Sequence, residues 1–200
     1  FVKPAVEGAM RALNFAKKHN VKKVVLTSSV AAIFETGTEK IFYDESDWSD
    51  PNSSKISNYA KSKTLAEKAA WDFVEQENNP FEFTVINPAL VIGPSLSGDL
   101  GVSNTAIEMV VTGKMPVAIP IQFGFVDVRD VASAHVLAME NKSSNGERFA
   151  LAECDLWYKD IAKLLRENGF KKAPTFAVPV WLAKIMANFN EQLKVTAPYL

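Results

Sequence analysis

Tyr59 and Lys63 are the two residues of this sequence whose types and spacing best suit proton transfer. They stand four positions apart in a predicted helix, which places them one turn apart on the same face. A phenol is a weak acid at neutral pH, but a neighbouring ammonium stabilises the phenolate and makes the hydroxyl more acidic. The pair is therefore a candidate general acid and base. Such a spacing also arises by chance, so the surroundings must support it.

Serines at the end of a predicted strand provide that support. The run KKVVLTSS, residues 22–29, is rich in β-branched side chains, as expected for a strand buried on both faces of a parallel sheet. Open α/β sheets bind ligands at the carboxyl ends of their strands, so a serine here could hydrogen-bond a substrate oxygen. Serines also end strands and cap loops for structural reasons, and that alternative stays open.

The elements that must position these residues alternate between helix and strand. Apolar periodicity predicts helices over residues 4–19, 58–76, 104–111, 127–139, 156–168 and 180–190. Short apolar runs predict strands over 22–29, 83–86, 125–128 and 148–151. In the second helix, Glu67 and Lys68 are expected to face outward. The polar stretch 32–57, which contains Trp48, is expected to be a long loop with a function. The alternation predicts an α/β fold with a parallel sheet and a smaller lobe.

The composition is that of a globular protein without a strongly charged partner. Hydrophobic residues make up 48% of the chain, and 22 basic against 23 acidic residues leave a net charge of −1. These values exclude intrinsic disorder and indicate neither nucleic acid nor a membrane as partner. With Cys154 as the one cysteine, we predict no intrachain disulfide, no metal site and a reducing, cytoplasmic location.

Five motifs in a fixed order resemble the extended short-chain dehydrogenase/reductases of the NAD-dependent epimerase/dehydratase superfamily. They are VKKVVLTSS, ESDWSD, NYAKSK, INPALVIGP and FVDVRDVASAH. The sequence is most similar to the dihydroflavonol-reductase-like and cinnamoyl-CoA-reductase-like enzymes and to related aldehyde and ketone reductases. The resemblance covers most of the chain and thins after Leu151. It implies a Rossmann-type doubly wound parallel sheet and a monomeric or homodimeric enzyme that uses NADP, or NAD, on a small carbonyl substrate.

The resemblance also implies a role for each matching residue. Ser29 matches the family's catalytic serine, which orients and polarises the substrate carbonyl. Tyr59 matches the tyrosine that protonates the carbonyl oxygen as hydride arrives from the nicotinamide. Lys63 matches the lysine that holds the nicotinamide ribose and acidifies the phenol. Further contacts with the nicotinamide end of the cofactor are implied for Thr27, Pro88, Val91 and Ser103.

Two other functions stay open at this point. Sugar-nucleotide epimerases and dehydratases share the serine, tyrosine and lysine, but they bind a diphosphate through basic residues of the C-terminal lobe. Beyond residue 100 this chain offers three arginines, Arg129, Arg148 and Arg166. The other alternative is a reductase-like scaffold that binds a nucleotide or a partner without turnover, although such proteins normally lose the tyrosine or the lysine.

The resemblance further predicts that the chain is incomplete at both ends. The family opens with a strand, a glycine-rich turn and a helix that bind the cofactor pyrophosphate, and no G-x-x-G-x-x-G occurs here. The sequence begins at Phe1, where the family has the helix before its fourth strand. We therefore expect residues 1–95 to form the second half of a dinucleotide-binding domain. Residues 96–200 would form a substrate lobe, from which a strand and helix near 124–140 return to that domain.

Overall fold

The computed structural model of the protein describes residues 1–35 and 40–189, which form two compact units. The first unit comprises residues 1–89 and 129–151, and the second comprises residues 90–128 and the chain from Ala152 onward. The helices are α1 (Val2–Lys18), α2 (Asn58–Gln76), α3 (Gly101–Thr112), α4 (Val128–Glu140), α5 (Tyr158–Glu167) and α6 (Val180–Phe189). The strands are β1 (Lys23–Thr27), β2 (Glu82–Pro88), β3 (Leu90–Ile92), β4 (Gln122–Asp127), β5 (Arg148–Leu151) and β6 (Cys154–Trp157).

The first unit is built on a parallel sheet with the strand order β1-β2-β5. Val24 of β1 lies beside Phe83 of β2, and Ile86 of β2 lies beside Phe149 of β5. The central strand β2 is buried at every position after Glu82. A strand covered on both faces needs apolar side chains throughout, which the sequence FTVI supplies.

Helices α1 and α2 pack against each other and against one face of this sheet. Because their apolar side chains recur at helical spacing, each helix presents one continuous stripe to the strands. The buried core so formed consists of Leu13, Ala16, Ala70, Phe73, Val74, Phe81, Phe83 and Val85. This packing fixes α2, the helix that carries Tyr59 and Lys63, against the sheet.

The second unit has a mixed sheet with the order β3-β4-β6, in which β4 and β6 run antiparallel. Its core joins α3, α5 and α6 through small and apolar side chains such as Val110, Ala162 and Ala183. Helix α3 ends at Gly113, whose φ of 77° is left-handed. A Cβ there would lie 3.2 Å from the Cβ of Lys172, so glycine is the residue that this helix end accepts.

The structure confirms the predicted α/β fold with its parallel sheet, and α2 has the predicted bounds. The sequence predicts neither β3 nor the antiparallel β6, because β3 has three residues and β6 is largely exposed, so neither shows a long buried run. The N-terminal part of the first unit ends at Ala89, whereas the sequence predicts a boundary at residue 95. The chain returns to this unit over residues 129–151, whereas the sequence predicts a return near 124–140. No helix of the described residues combines the length and apolar character needed to cross a membrane.

The buried Tyr158 lowers the stability of the second unit at alkaline pH. Its side chain is buried beside Phe123, its hydroxyl has no hydrogen-bond partner in the described chain, and burial raises its pKa to about 12. Between the ordinary pKa near 10 and this value, the unfolded chain releases the proton that the folded chain keeps. The raised pKa of Tyr158 therefore stabilises the folded state fully below pH 10, relative to the alkaline range, and this stability is lost as the pH rises toward 12.

We expect Tyr158→Phe to remove this component of alkaline destabilisation and to leave stability at pH 7 unchanged or slightly higher, since the hydroxyl is buried without a partner. Urea unfolding of the full protein and of the variant at pH 8, 9, 10 and 11 measures the effect. Curves that stay parallel over this range would show that the Tyr158 hydroxyl titrates as it does in the unfolded chain.

Candidate active site

Tyr59 and Lys63 lie on the first two turns of α2, as their spacing predicts. The hydroxyl of Ser57 caps the helix by accepting a hydrogen bond from the amide of Ala60 at 3.0 Å, which fixes where the helix begins. The Lys63 ammonium then lies 5.9 Å from the centroid of the Tyr59 ring. Tyr59 is 48% exposed.

The polar groups of Tyr59 and Lys63 are not bonded to other groups of the described chain. Within the described part of the chain, neither the Tyr59 hydroxyl nor the Lys63 ammonium forms a hydrogen bond or an ion pair. By contrast, Lys17 pairs with Glu77, and Lys23 donates to the Ser144 hydroxyl at 2.9 Å. The Lys63 ammonium and the Tyr59 hydroxyl are therefore available to a ligand that binds beside them.

Ser29 lies where the sequence predicts, just beyond the carboxyl end of β1. The amide of Ser28 donates to the carbonyl of Ile86 at 2.7 Å, which continues the pairing of β1 with β2 up to this point. Ser29 caps the 3-10 turn Val30–Ala32, and its Oγ accepts a hydrogen bond from the amide of Ala31 at 3.2 Å. An accepting hydroxyl keeps its own proton, so Ser29 can still donate to a substrate oxygen.

The remaining predicted residues divide between the two units. Thr27 ends β1, and its Oγ1 lies 2.7 Å from Nε2 of His135, whose Nδ1 is 2.8 Å from the carbonyl of Val131. A carbonyl only accepts, so Nδ1 of His135 carries a proton and donates to Val131. Pro88 is the last, buried residue of β2. Val91, on β3, and Ser103, on α3, are half-buried residues of the second unit.

Glu67 is the residue of this region whose predicted orientation the structure corrects. The expected outward orientation is wrong, because Glu67 is 1% exposed. Its carboxylate accepts from Nε of Arg148 at 2.6 Å and from Nδ2 of Asn87 at 2.8 Å. A buried carboxylate needs such partners. Arg148 is 81 residues away in sequence, so no local pattern could reveal it.

Arg148 joins Glu67 to the long loop between β1 and α2. Its Nη1 donates to the carbonyls of Glu45 at 2.6 Å and Asp47 at 2.8 Å. Its guanidinium lies 3.7 Å from the centroid of the Trp48 ring, a cation–π contact. The sequence leaves open whether Trp48 lines a substrate cavity or packs in the core. In the structure, its ring packs against the Arg148 guanidinium.

Local charges stabilise the same loop. A hydrogen bond from the Lys40 ammonium, together with one from the amide of Asp44, lowers the pKa of Asp47. The carboxylate of Glu45 accepts from the amide of Ala150 at 3.0 Å, which ties the loop to β5. Strand β5 thus holds the loop of the ESDWSD motif in two ways. Arg148 binds backbone carbonyls of the loop, and the amide of Ala150 binds the side chain of Glu45.

The residues of the first unit fit the nicotinamide end of a dinucleotide. An ammonium without a carboxylate partner can donate to ribose hydroxyls, and the exposed phenol one turn away can reach a carbonyl oxygen beside the ring. Among the described residues, no cluster of three or more His, Cys, Asp or Glu side chains could hold a metal ion.

Residues 1–152 match the NAD dependent epimerase/dehydratase family, and the chain belongs to this family. It is 42% identical over 172 residues to a cinnamoyl-CoA reductase of Medicago truncatula, covering 83% of this chain and 52% of that protein. It is 37% identical over 186 residues to an NADPH-dependent methylglyoxal reductase of Saccharomyces cerevisiae, covering 82% and 54%. The chain thus spans about half the length of the curated relatives it matches.

Solved structures give the same assignment. The yeast methylglyoxal/isovaleraldehyde reductase complexed with NADPH matches with a TM-score of 0.72 at 31% identity, over 90% of this chain and 58% of that one. A UDP-glucose 4-epimerase from Thermotoga maritima, solved with UDP-glucose, matches with a TM-score of 0.69 at 26% identity, over 89% and 57%. Both carbonyl reductases and epimerases are therefore structural relatives of this chain.

The buried ion pair predicts a large stability difference between two arginines. Arg148→Met leaves the Glu67 carboxylate buried without its counter-ion, so we expect the free energy of unfolding to fall by about 3–5 kcal/mol. Arg11→Met is the matched control, because Arg11 is exposed on α1 and should change stability by less than about 0.5 kcal/mol. Urea unfolding of the full protein measures both, and equal losses would contradict a stabilising role for the pair.

Proposed function

We propose that the protein is an NAD(P)H-dependent reductase of an aldehyde or ketone carbonyl, with Ser29, Tyr59 and Lys63 as its catalytic residues. The observation that carries this proposal is the Lys63 ammonium, which lies against the ring of the exposed Tyr59 and has no carboxylate partner in the described chain. An exposed phenol beside an unpaired ammonium is the arrangement that proton transfer to a carbonyl oxygen requires.

Each of the three side chains has one task in the proposed reaction. The Ser29 hydroxyl donates a hydrogen bond to the substrate carbonyl oxygen and so favours the negative charge that develops there. When bound, a reduced nicotinamide supplies the hydride that the carbonyl carbon accepts. Tyr59 gives its proton to the oxygen, and Lys63 stabilises the phenolate that remains. The product is an alcohol, and Tyr59 regains a proton from solvent.

NADPH is the reductant we propose, on the strength of the relatives. The methylglyoxal reductase of yeast is named as NADPH-dependent, and its solved structure is a complex with NADPH. Lys63 would hold the nicotinamide ribose, and further contacts with the nicotinamide end are assigned to Thr27, Pro88, Val91 and Ser103. A free, exposed Cys154 suits a reducing compartment, so we place the reaction in the cytoplasm.

A sugar-nucleotide epimerase is the second candidate, because a UDP-glucose epimerase is among the structural relatives. Two of the three arginines beyond residue 100 are already held by protein groups, which weakens this candidate. Arg148 is paired with Glu67, and Nη1 of Arg166 donates to the carbonyls of Lys171 and Ala173. Because both guanidinium groups already donate to protein groups, we favour carbonyl reduction over sugar-nucleotide epimerisation.

Substitution of Tyr59 by phenylalanine tests the proposal. We expect Tyr59→Phe in the full protein to lower kcat for carbonyl reduction by about 10²–10⁴-fold, because the proton donor is lost while the ring stays. The dissociation constant for NADPH should change little. NADPH oxidation with methylglyoxal, cinnamoyl-CoA and a panel of aldehydes and ketones measures kcat, and NADPH fluorescence measures binding.

Tyr158→Phe is the matched control, because it removes a phenol hydroxyl from the second unit and should leave kcat unchanged. Retention of activity in Tyr59→Phe would refute the assigned acid. Tight binding of a nucleoside-diphosphate sugar, with no carbonyl substrate turned over, would favour the epimerase instead.

A further inference from the structure

The side-chain amide of Asn87 links the segment that carries Ser29 to the helix that carries Tyr59 and Lys63. Its Nδ2 donates to the carbonyl of Ser29 at 3.2 Å and to Oε2 of Glu67 at 2.8 Å. Asn87 is completely buried at the carboxyl end of β2, one residue before Pro88. One amino group therefore connects β2, the backbone after β1 and α2.

Hydrogen-bonding capacity fixes the orientation of this amide. An amide nitrogen has two protons, and here each has its own acceptor, a backbone carbonyl and a carboxylate. The amide oxygen Oδ1 is buried and has no partner in the described chain. If the amide were flipped, an oxygen would face two acceptors, which is repulsive. The nitrogen therefore faces Ser29 and Glu67.

The Glu67 end of this link is itself held by a second partner. Glu67 lies two turns beyond Tyr59 and one turn beyond Lys63 on α2, and its second oxygen is held by Nε of Arg148 at 2.6 Å. The 3-10 turn that Ser29 caps packs against the same helix. A displacement of Ser29 relative to α2 must therefore break or stretch a bond of Asn87.

We propose that Asn87 is a positioning residue for carbonyl reduction, which holds Ser29 in register with Tyr59 and Lys63. This inference rests on the proposed function, because Ser29 and Tyr59 must act on the same carbonyl oxygen. Catalysis of this kind is sensitive to small displacements of a donor. Asn87 acts through Ser29, so the effect of losing it is confined to the step that Ser29 assists.

Asn87→Ala in the full protein tests the proposal. We expect kcat/KM for the carbonyl substrate to fall at least tenfold, while the dissociation constant for NADPH stays within about threefold, because Tyr59 and Lys63 remain on an intact helix. Asn145→Ala is the matched control: its amide oxygen accepts from the Phe83 amide at 2.8 Å, near the opposite end of β2. The control should lose stability without losing kcat/KM.

A double-mutant cycle separates positioning from general damage to the fold. If Asn87 acts through Ser29, then Asn87→Ala should cost less than threefold in a Ser29→Ala background, although it costs at least tenfold in the parent enzyme. Equal losses in both backgrounds would overturn the proposal. Should Asn87→Ala fail to fold, Asn87→Ser replaces it, since a hydroxyl has one proton and cannot serve both acceptors.

Hydrogen exchange tests the link without reference to activity. We expect the amides of Ala31, Ala32 and Ile33 to exchange faster in Asn87→Ala than in the parent protein and in Asn145→Ala, because their turn is anchored at the Ser29 carbonyl. Unchanged exchange would overturn the positioning role. If the parent protein reduces no carbonyl compound, or if Ser29→Ala keeps full activity, the proposed function fails, and the exchange result still decides whether Asn87 anchors the turn.

Discussion

The buried carboxylate of Glu67 is the constraint on which the first unit depends. A charge with 1% exposure is tolerated only when donors replace the water it has lost, and here Arg148 and Asn87 supply them. These partners come from β5 and from the end of β2, so a single helix residue joins α2 to two strands. Arg148 then extends the connection to the backbone of Glu45 and Asp47. The ion pair is thus a device that fixes the relative positions of helix, sheet and loop, whatever its net contribution to stability.

The same helix carries two charges with opposite surroundings, one turn apart. Glu67 is buried and neutralised by Arg148, whereas Lys63 faces the phenol of Tyr59 and has no ion-pair partner in the described chain. In the proposed acid–base site, this arrangement separates two requirements, anchoring of the helix and availability of the polar groups. The buried pair anchors the helix, so the exposed pair can keep its polar groups available for a ligand. An ammonium paired with a carboxylate would stabilise a neighbouring phenolate less, because the two charges would largely cancel.

Local patterns in the sequence were sufficient to predict α2, its bounds and the shared face of Tyr59 and Lys63. They were also sufficient for the strand β1 that ends before Ser29, because both features depend on residues close together in the chain. The burial of Glu67 could not be predicted, because an acidic residue beside Lys68 in a helix is typical of the solvent-exposed face. Its counter-ion lies 81 positions later. Strand β6 was missed for a related reason, because an exposed strand paired with a distant one leaves little periodicity.

The described polar contacts around Glu67 are confined to one of the two units. Every described member of the network around Glu67 belongs to residues 1–89 or 129–151, as do Ser29, Tyr59 and Lys63. The core of the second unit is apolar except for the Tyr158 hydroxyl, which bonds to nothing in the described chain. Substitutions among residues 90–128 therefore leave every donor and acceptor of this network in place. Under the proposed function, the relatives named for cinnamoyl-CoA and for methylglyoxal would share one proton-transfer apparatus.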